Sequence, residues 1–131
     1  MPEKDIPLFE KGVEQAESFG IKMKSSPISD NYFDELLQLF IGKIEINFLF
    51  TPGHTLGEYS IFFPSKNICF TGDVLFKESI GRTDLWGGNY EMLLQSIKNK
   101  LFTLSDDTTI YPGHGEKSSI LYEKKNNPFL N

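Results

Sequence analysis

At 131 residues the chain has room for one domain built on one core. Acidic residues outnumber basic ones 18 to 13, a net charge of −5, which argues against a nucleic-acid partner and for a small-molecule or protein one. The single Cys69 cannot close an internal disulfide, and neither a membrane-spanning stretch nor a signal-peptide core is present, so a soluble cytoplasmic protein with no membrane partner is expected.

Residues 3–19 read as one helix, with Phe9, Val13 and Ala16 on one face, Pro7 tolerable only in its first turn and Gly20 able to end it. Residues 21–34, with Pro27 and several Ser, Asp and Asn, read as a surface loop. Residues 35–41 fit a short helix and a strand equally. Ile44 to Phe50 alternates before turning wholly apolar, the pattern of a strand entering a buried sheet. Tyr59–Phe63 and Asn67–Thr71 form two further strands, joined as a hairpin through Pro64-Ser65-Lys66-Asn67. From Val74 to Gly88 runs a glycine-rich loop holding Arg82, Thr83, Asp84 and Trp86, and a loop of that length is more often functional than idle. Asn89 caps a helix whose Tyr90, Leu93, Leu94, Ile97 and Leu101 make a core-facing stripe. Thr108–Tyr111 is a last strand, and Ser118 or Ser119 caps a short helix that stops before Pro128. Four strands and about three helices give an α/β or α+β domain, a sheet with a helical layer and one edge left uncovered.

Three turns carry the chemistry. His54 follows Pro52-Gly53, Asp73 follows Thr71-Gly72 and His114 follows Pro112-Gly113, each at the end of an apolar run, and the chain has no other histidine. Two imidazoles and a carboxylate suit Zn²⁺ or Fe²⁺, cations that accept nitrogen and oxygen alike. Pro-Gly before a histidine bends the backbone sharply and frees the ring to point off a sheet edge. A metal there would acidify a water and polarise a carbonyl, which is metal-assisted hydrolysis. One such residue alone reads as an ordinary turn residue, whereas three in matched settings read as metal ligands. Arg82 and Asp84 stand equally as a loop-steadying ion pair and as substrate contacts. Cys69, inside an apolar run, reads as a small buried hydrophobe.

Four segments in order carry a family likeness: Thr-Pro-Gly-His-Thr-Leu-Gly at 51–57, Phe-Thr-Gly-Asp-Val-Leu-Phe at 70–76, Gly-Arg-Thr-Asp-Leu-Trp-Gly-Gly-Asn at 81–89 and Tyr-Pro-Gly-His-Gly at 111–115. With the closing Asn-Asn-Pro-Phe-Leu they resemble the second half of a metallo-β-lactamase-fold hydrolase. The nearest likeness is the short glyoxalase II type, hydroxyacylglutathione hydrolase without its extra helical domain. The resemblance implies part of an αββα sandwich, a mixed sheet with flanking helices. It implies a two-metal Zn²⁺ site, with Fe²⁺ or Mn²⁺ as substitutes, and a small-molecule thioester substrate. It implies that His54 binds the first metal, that Asp73 bridges both as the catalytic carboxylate, and that His114 binds the second.

The sequence departs from that family in one respect. The signature H-x-H-x-D-H, which there precedes a helix like residues 3–19, is absent from these 131 residues. Residues 1–131 are therefore expected to form a single, incomplete domain, inactive or weakly active alone, whose partner is the missing N-terminal half or another copy of itself. Two rival readings stand behind this one. An iron-dependent persulfide dioxygenase is similar in Gly-Arg-Thr-Asp, but that branch tends to carry Pro-Ala-His-Asp where Pro-Gly-His-Gly stands here. A truncated, non-catalytic paralogue or gene fragment is the other.

Overall fold

The computed structural model describes residues 1–24, 29–32 and 34–130. Residues 3–5 form a 3-10 turn, and α1 (Ile6–Glu10) and α2 (Gly12–Ser18) follow, so the one helix expected over 3–19 is broken at Lys11. Gly12 accounts for the break, because glycine loses more backbone freedom in a helix than any other residue. Pro7 lies in the first turn of α1, and Gly20, at φ +73°, closes α2. The expected loop over 21–34 has no helix or strand among its described residues, and 25–28 and 33 lie outside them.

β1 (Leu39–Ile41) turns through Gly42 into β2 (Ile44–Phe50), which settles the open choice at 35–41 as a strand over its last three residues. β3 (Tyr59–Phe63) and β4 (Ile68–Gly72) form the expected hairpin around a 3-10 turn at Pro64–Lys66. The stretch expected as loop contains a small hairpin, β5 (Leu75–Phe76) with β6 (Ser79–Ile80). Helix α3 (Tyr90–Asn99) begins where the Asn89 side chain accepts the Met92 N–H at 2.9 Å. β7 (Thr109–Pro112), β8 (Ser118–Ser119) and α4 (Ile120–Asn126), capped by Ser119, complete the chain. The strands beyond the expected four are β1, β5, β6 and β8. At two or three residues each they are too short for alternation to show.

The main sheet runs β1-β2-β3-β4-β7-β8. β4 and β7 pair in parallel and every other neighbouring pair is antiparallel, a mixed sheet as expected. β2 and β4 both run antiparallel to β3, so they run parallel to each other, and β7 shares their direction. The C-terminal ends of β2, β4 and β7 therefore open on one edge of the sheet. His54, Asp73 and His114 lie just beyond those three ends.

One face of the sheet carries Cys69 and Ile110, with Leu49 and Phe62 half-buried beside them. It packs on Leu93 and Ile97 of α3, and Val74, Leu75, Leu101, Ile120 and Leu130 complete this core. Each fully buried Leu or Ile contributes about 1.5–3 kcal/mol over leaving it in water. The expected stripe holds at Leu93 and Ile97 of α3 and at Leu101 in the 3-10 turn that follows, but its first member, Tyr90, is 48% exposed, because the helix starts beyond the edge of the core. Burial pushes the Cys69 thiol up to about 12, which keeps it a neutral filler.

On the opposite face Phe70 stacks on Tyr111 with ring centroids 5.5 Å apart and meets Phe63 edge-on at 5.7 Å, yet Phe70 remains 46% exposed. Leu39, Phe40 and Ile41 of the edge strand are exposed as well. Apolar surface of this kind on a sheet favours association. Light scattering of the chain is expected to give a mass above that of a single copy, and Phe70→Lys to lower it. A monomer with a cooperative thermal transition would contradict the expectation. Among the described residues no helix is long and apolar enough to cross a membrane.

Candidate metal centre

The turn after β2 is closed by short-range bonds. Thr51 N–H donates to the Glu58 carbonyl at 3.0 Å, and Gly53 N–H to the Thr55 carbonyl at 2.9 Å. Helix α3 anchors it from below, with Ser96 Oγ donating to the Pro52 carbonyl at 2.7 Å and Asn89 N–H to the Gly53 carbonyl at 2.8 Å. Gly53 is at φ +136°, and a Cβ there would stand 2.4 Å from the Leu93 backbone, so the Pro-Gly-His motif needs glycine for both conformation and space. The turns after β4 and β7 are tied together by Gly113 N–H donating to the Gly72 carbonyl at 2.8 Å.

These turns bring the three expected residues together. Asp73 Oδ1 lies 2.9 Å from His114 Nδ1, and Asp73 Oδ2 lies 3.7 Å from His54 Nε2. His54 Nδ1 lies 2.8 Å from the Arg82 carbonyl. A carbonyl only accepts, so Nδ1 carries the proton and Nε2 turns toward Asp73. Two groups that accept in their unprotonated forms then face each other at a separation too long for a hydrogen bond. A metal ion between them would satisfy both. His114 Nδ1 likewise donates to Asp73, leaving its Nε2 as the free nitrogen of a ring that is 79% exposed. At His54, holding Nδ1 on a backbone carbonyl so that Nε2 can ligate is how metal-binding histidines are oriented.

The donor set fits a shared carboxylate between two positions better than one closed shell. Among the described residues no three His, Cys, Asp or Glu side chains converge as a single ion requires. Asp73 instead presents one oxygen to each imidazole.

Arg82 is placed beside the centre by its backbone. Its guanidinium is held in a two-bond pair with Asp84, Nε to Oδ1 at 2.8 Å and Nη2 to Oδ2 at 2.7 Å, and both side chains are exposed. That bond holds the Asp84 carboxyl down at about 2. Of the two roles open to this pair, the geometry displays the ion pair, while the Arg82 carbonyl orients His54. Sequence reasoning gave the carbonyl no role, and no side-chain motif could have signalled it.

Two carboxylates support the centre without joining it. Glu58 Oε1 accepts the Asp73 N–H at 2.9 Å, while Oε2 is buried without a hydrogen-bond partner. Burial pushes the Glu58 carboxyl up to about 7 against the pull of that bond. Asp5, from the first turn of the chain, bonds the far side of the His54 turn at Thr55 and Gly57.

Comparison with known proteins finds relatives that share this fold. The family model described as the metallo-β-lactamase superfamily matches residues 2–114. Hydroxyacylglutathione hydrolase GloC of Haemophilus influenzae is 46% identical over 132 residues, covering 98% of this chain and 61% of that protein. The solved BLEG-1 B3 metallo-β-lactamase superposes with a TM-score of 0.89 at 34% identity, over 99% of this chain and 63% of that one. The structure of TTHA1623 in a di-iron-bound form gives a TM-score of 0.90 at 33% identity with the same coverage. The chain spans about three fifths of the length of each of these relatives.

Proposed function

The chain belongs to the metallo-β-lactamase superfamily, and from that membership we propose that it contributes half of the metal centre of a hydrolase acting on a thioester of the hydroxyacylglutathione class. The observation that carries the reading is the approach of Asp73 to both His54 and His114, with one oxygen toward each ring. His54 would hold one ion through Nε2 together with Asp73, the catalytic carboxylate, and His114 and Asp73 would hold a second once the His114 ring turns out of its Nδ1 bond to Asp73. Zinc is the metal proposed, with iron or manganese as substitutes. A bound divalent ion supplies Lewis acidity there, lowering the pKa of water and polarising a carbonyl.

The chain's own residues do the positioning. The Arg82 carbonyl fixes the His54 tautomer, and the Asp73 amide is held by Glu58. The Arg82 guanidinium, steadied by Asp84, keeps free N–H donors and is the group proposed to meet an anionic end of the substrate. With one imidazole and a shared carboxylate, each position falls short of the three protein ligands a catalytic zinc holds. In the family the remaining ligands come from the H-x-H-x-D-H segment that this sequence lacks.

Hydrolysis of a hydroxyacylglutathione should therefore be near background for this chain alone. It should rise when a segment carrying H-x-H-x-D-H from a full-length relative is joined ahead of it. Equal turnover with and without that segment contradicts the reading. A second reading, iron-dependent oxidation of a persulfide, draws on Gly81-Arg82-Thr83-Asp84 and the di-iron form of one neighbour. Oxygen uptake with a persulfide, in place of thioester cleavage, would favour it.

A further inference from the structure

We propose that Asp5 is a positioning residue for His54, an inference that rests on the reading of His54 as a metal ligand. Asp5 lies in the 3-10 turn ahead of α1 and uses both carboxylate oxygens on one short turn. Oδ2 accepts the Thr55 hydroxyl at 2.9 Å, and Oδ1 accepts the Gly57 N–H at 2.8 Å. Two bonds to residues on either side of Leu56 fix the turn's orientation as well as its place, and bonds to an ionised acceptor are the stronger kind.

The approach is close enough to dictate sequence on the other side. A Cβ on Gly57 would stand 2.7 Å from Asp5 Cγ and 2.9 Å from its backbone nitrogen, so only glycine admits the carboxylate. The clamp bears on the residue next to His54. Thr55 is bonded through its side chain to Asp5 and through its carbonyl to Gly53 N–H. On the opposite side the His54 ring reaches the Arg82 carbonyl at 2.8 Å, a bond that survives only while the backbone of the turn keeps its place. Asp5 thus braces the backbone and Arg82 the ring, and Asp5 itself bonds neither His54 nor Asp73.

The test is two-bond ¹H–¹⁵N NMR of both histidines in the full chain, first metal-free and then titrated with zinc. In the native chain His54 should show the Nδ1-protonated tautomer with a slowly exchanging proton. Asp5→Ala should turn it into the solvent-averaged tautomer mixture and leave the His114 signals in place, since His114 is held by Asp73. Gly57→Ala, which displaces the Asp5 carboxylate sterically while leaving it chemically intact, should do the same. Asp5→Asn, which keeps an acceptor for Gly57, should retain most of the native signal. The zinc concentration that half-shifts His54 should rise about tenfold in Asp5→Ala, the lower end of what outer supports of metal ligands contribute. A His54 tautomer unchanged in both Asp5→Ala and Gly57→Ala overturns the clamp, as does parallel loss of order at both histidines. Zinc that moves neither histidine in the native chain overturns the metal reading beneath it, and the tautomer comparison tells the two failures apart.

Discussion

Asp73→Ala is expected to weaken zinc binding at both positions together by at least about a hundredfold, whereas His54→Ala and His114→Ala each spare one position. The asymmetry follows from the placing of a single carboxylate between two imidazoles, with Oδ1 toward His114 and Oδ2 toward His54. Folding should register the change only modestly: the Asp73 side chain is 31% exposed and the hydrogen bond it loses is to a ring that is 79% exposed, so a cost of about 1 kcal/mol is expected. Calorimetric titration of the three variants beside their urea unfolding curves checks both halves of the statement. Undiminished zinc binding by Asp73→Ala would remove the shared carboxylate from the account.

Gly53→Ala should have the opposite profile, a large effect on folding through a small change in chemistry. Alanine at φ +136° is strained, and its methyl group would lie 2.4 Å from the backbone of Leu93, which is itself fully buried in the core. Neither neighbour is the loose end of a flexible side chain, so the turn or the helix must move. The expected cost is about 3 kcal/mol in unfolding free energy, the scale of strained backbone combined with overpacking. It would appear as a lowered urea midpoint with an unchanged slope. Because the same turn presents His54, its ring signals should shift as well.

The three convergent residues were legible in the sequence because each ends an apolar run after a glycine, and strand direction then decides where they go. What the sequence did not display was pairing order. The parallel relation of β2, β4 and β7, which puts His54, Asp73 and His114 on one edge, comes from register across the sheet. β1 was ambiguous because Leu-Leu-Gln-Leu-Phe-Ile satisfies both helical and strand periods, and β5 and β6 have only two residues each. Gly12 splits the first helix although the apolar spacing of Phe9, Val13 and Ala16 runs straight through it. Local chemistry outweighed periodicity there.

Arg82 shows a different gap. Its side chain drew attention as a charge in a long loop, and the geometry spends that charge on Asp84 while the backbone carbonyl orients His54. Backbone acceptors leave no mark in a sequence. Asp5 and Glu58 were hidden for another reason. Their contacts to Thr55, Gly57 and Asp73 cross spans of 50, 52 and 15 residues, and nothing local announces them.

The proposed split of the centre into two incompletely ligated positions is tested most directly by titrating zinc, and separately iron, into the chain by calorimetry. The account predicts weak, readily exchanging binding with more than one ion per chain. It also predicts that His54→Ala removes only part of that binding. Tight one-to-one binding abolished by His54→Ala would contradict it, because His54, Asp73 and His114 would then close around a single ion.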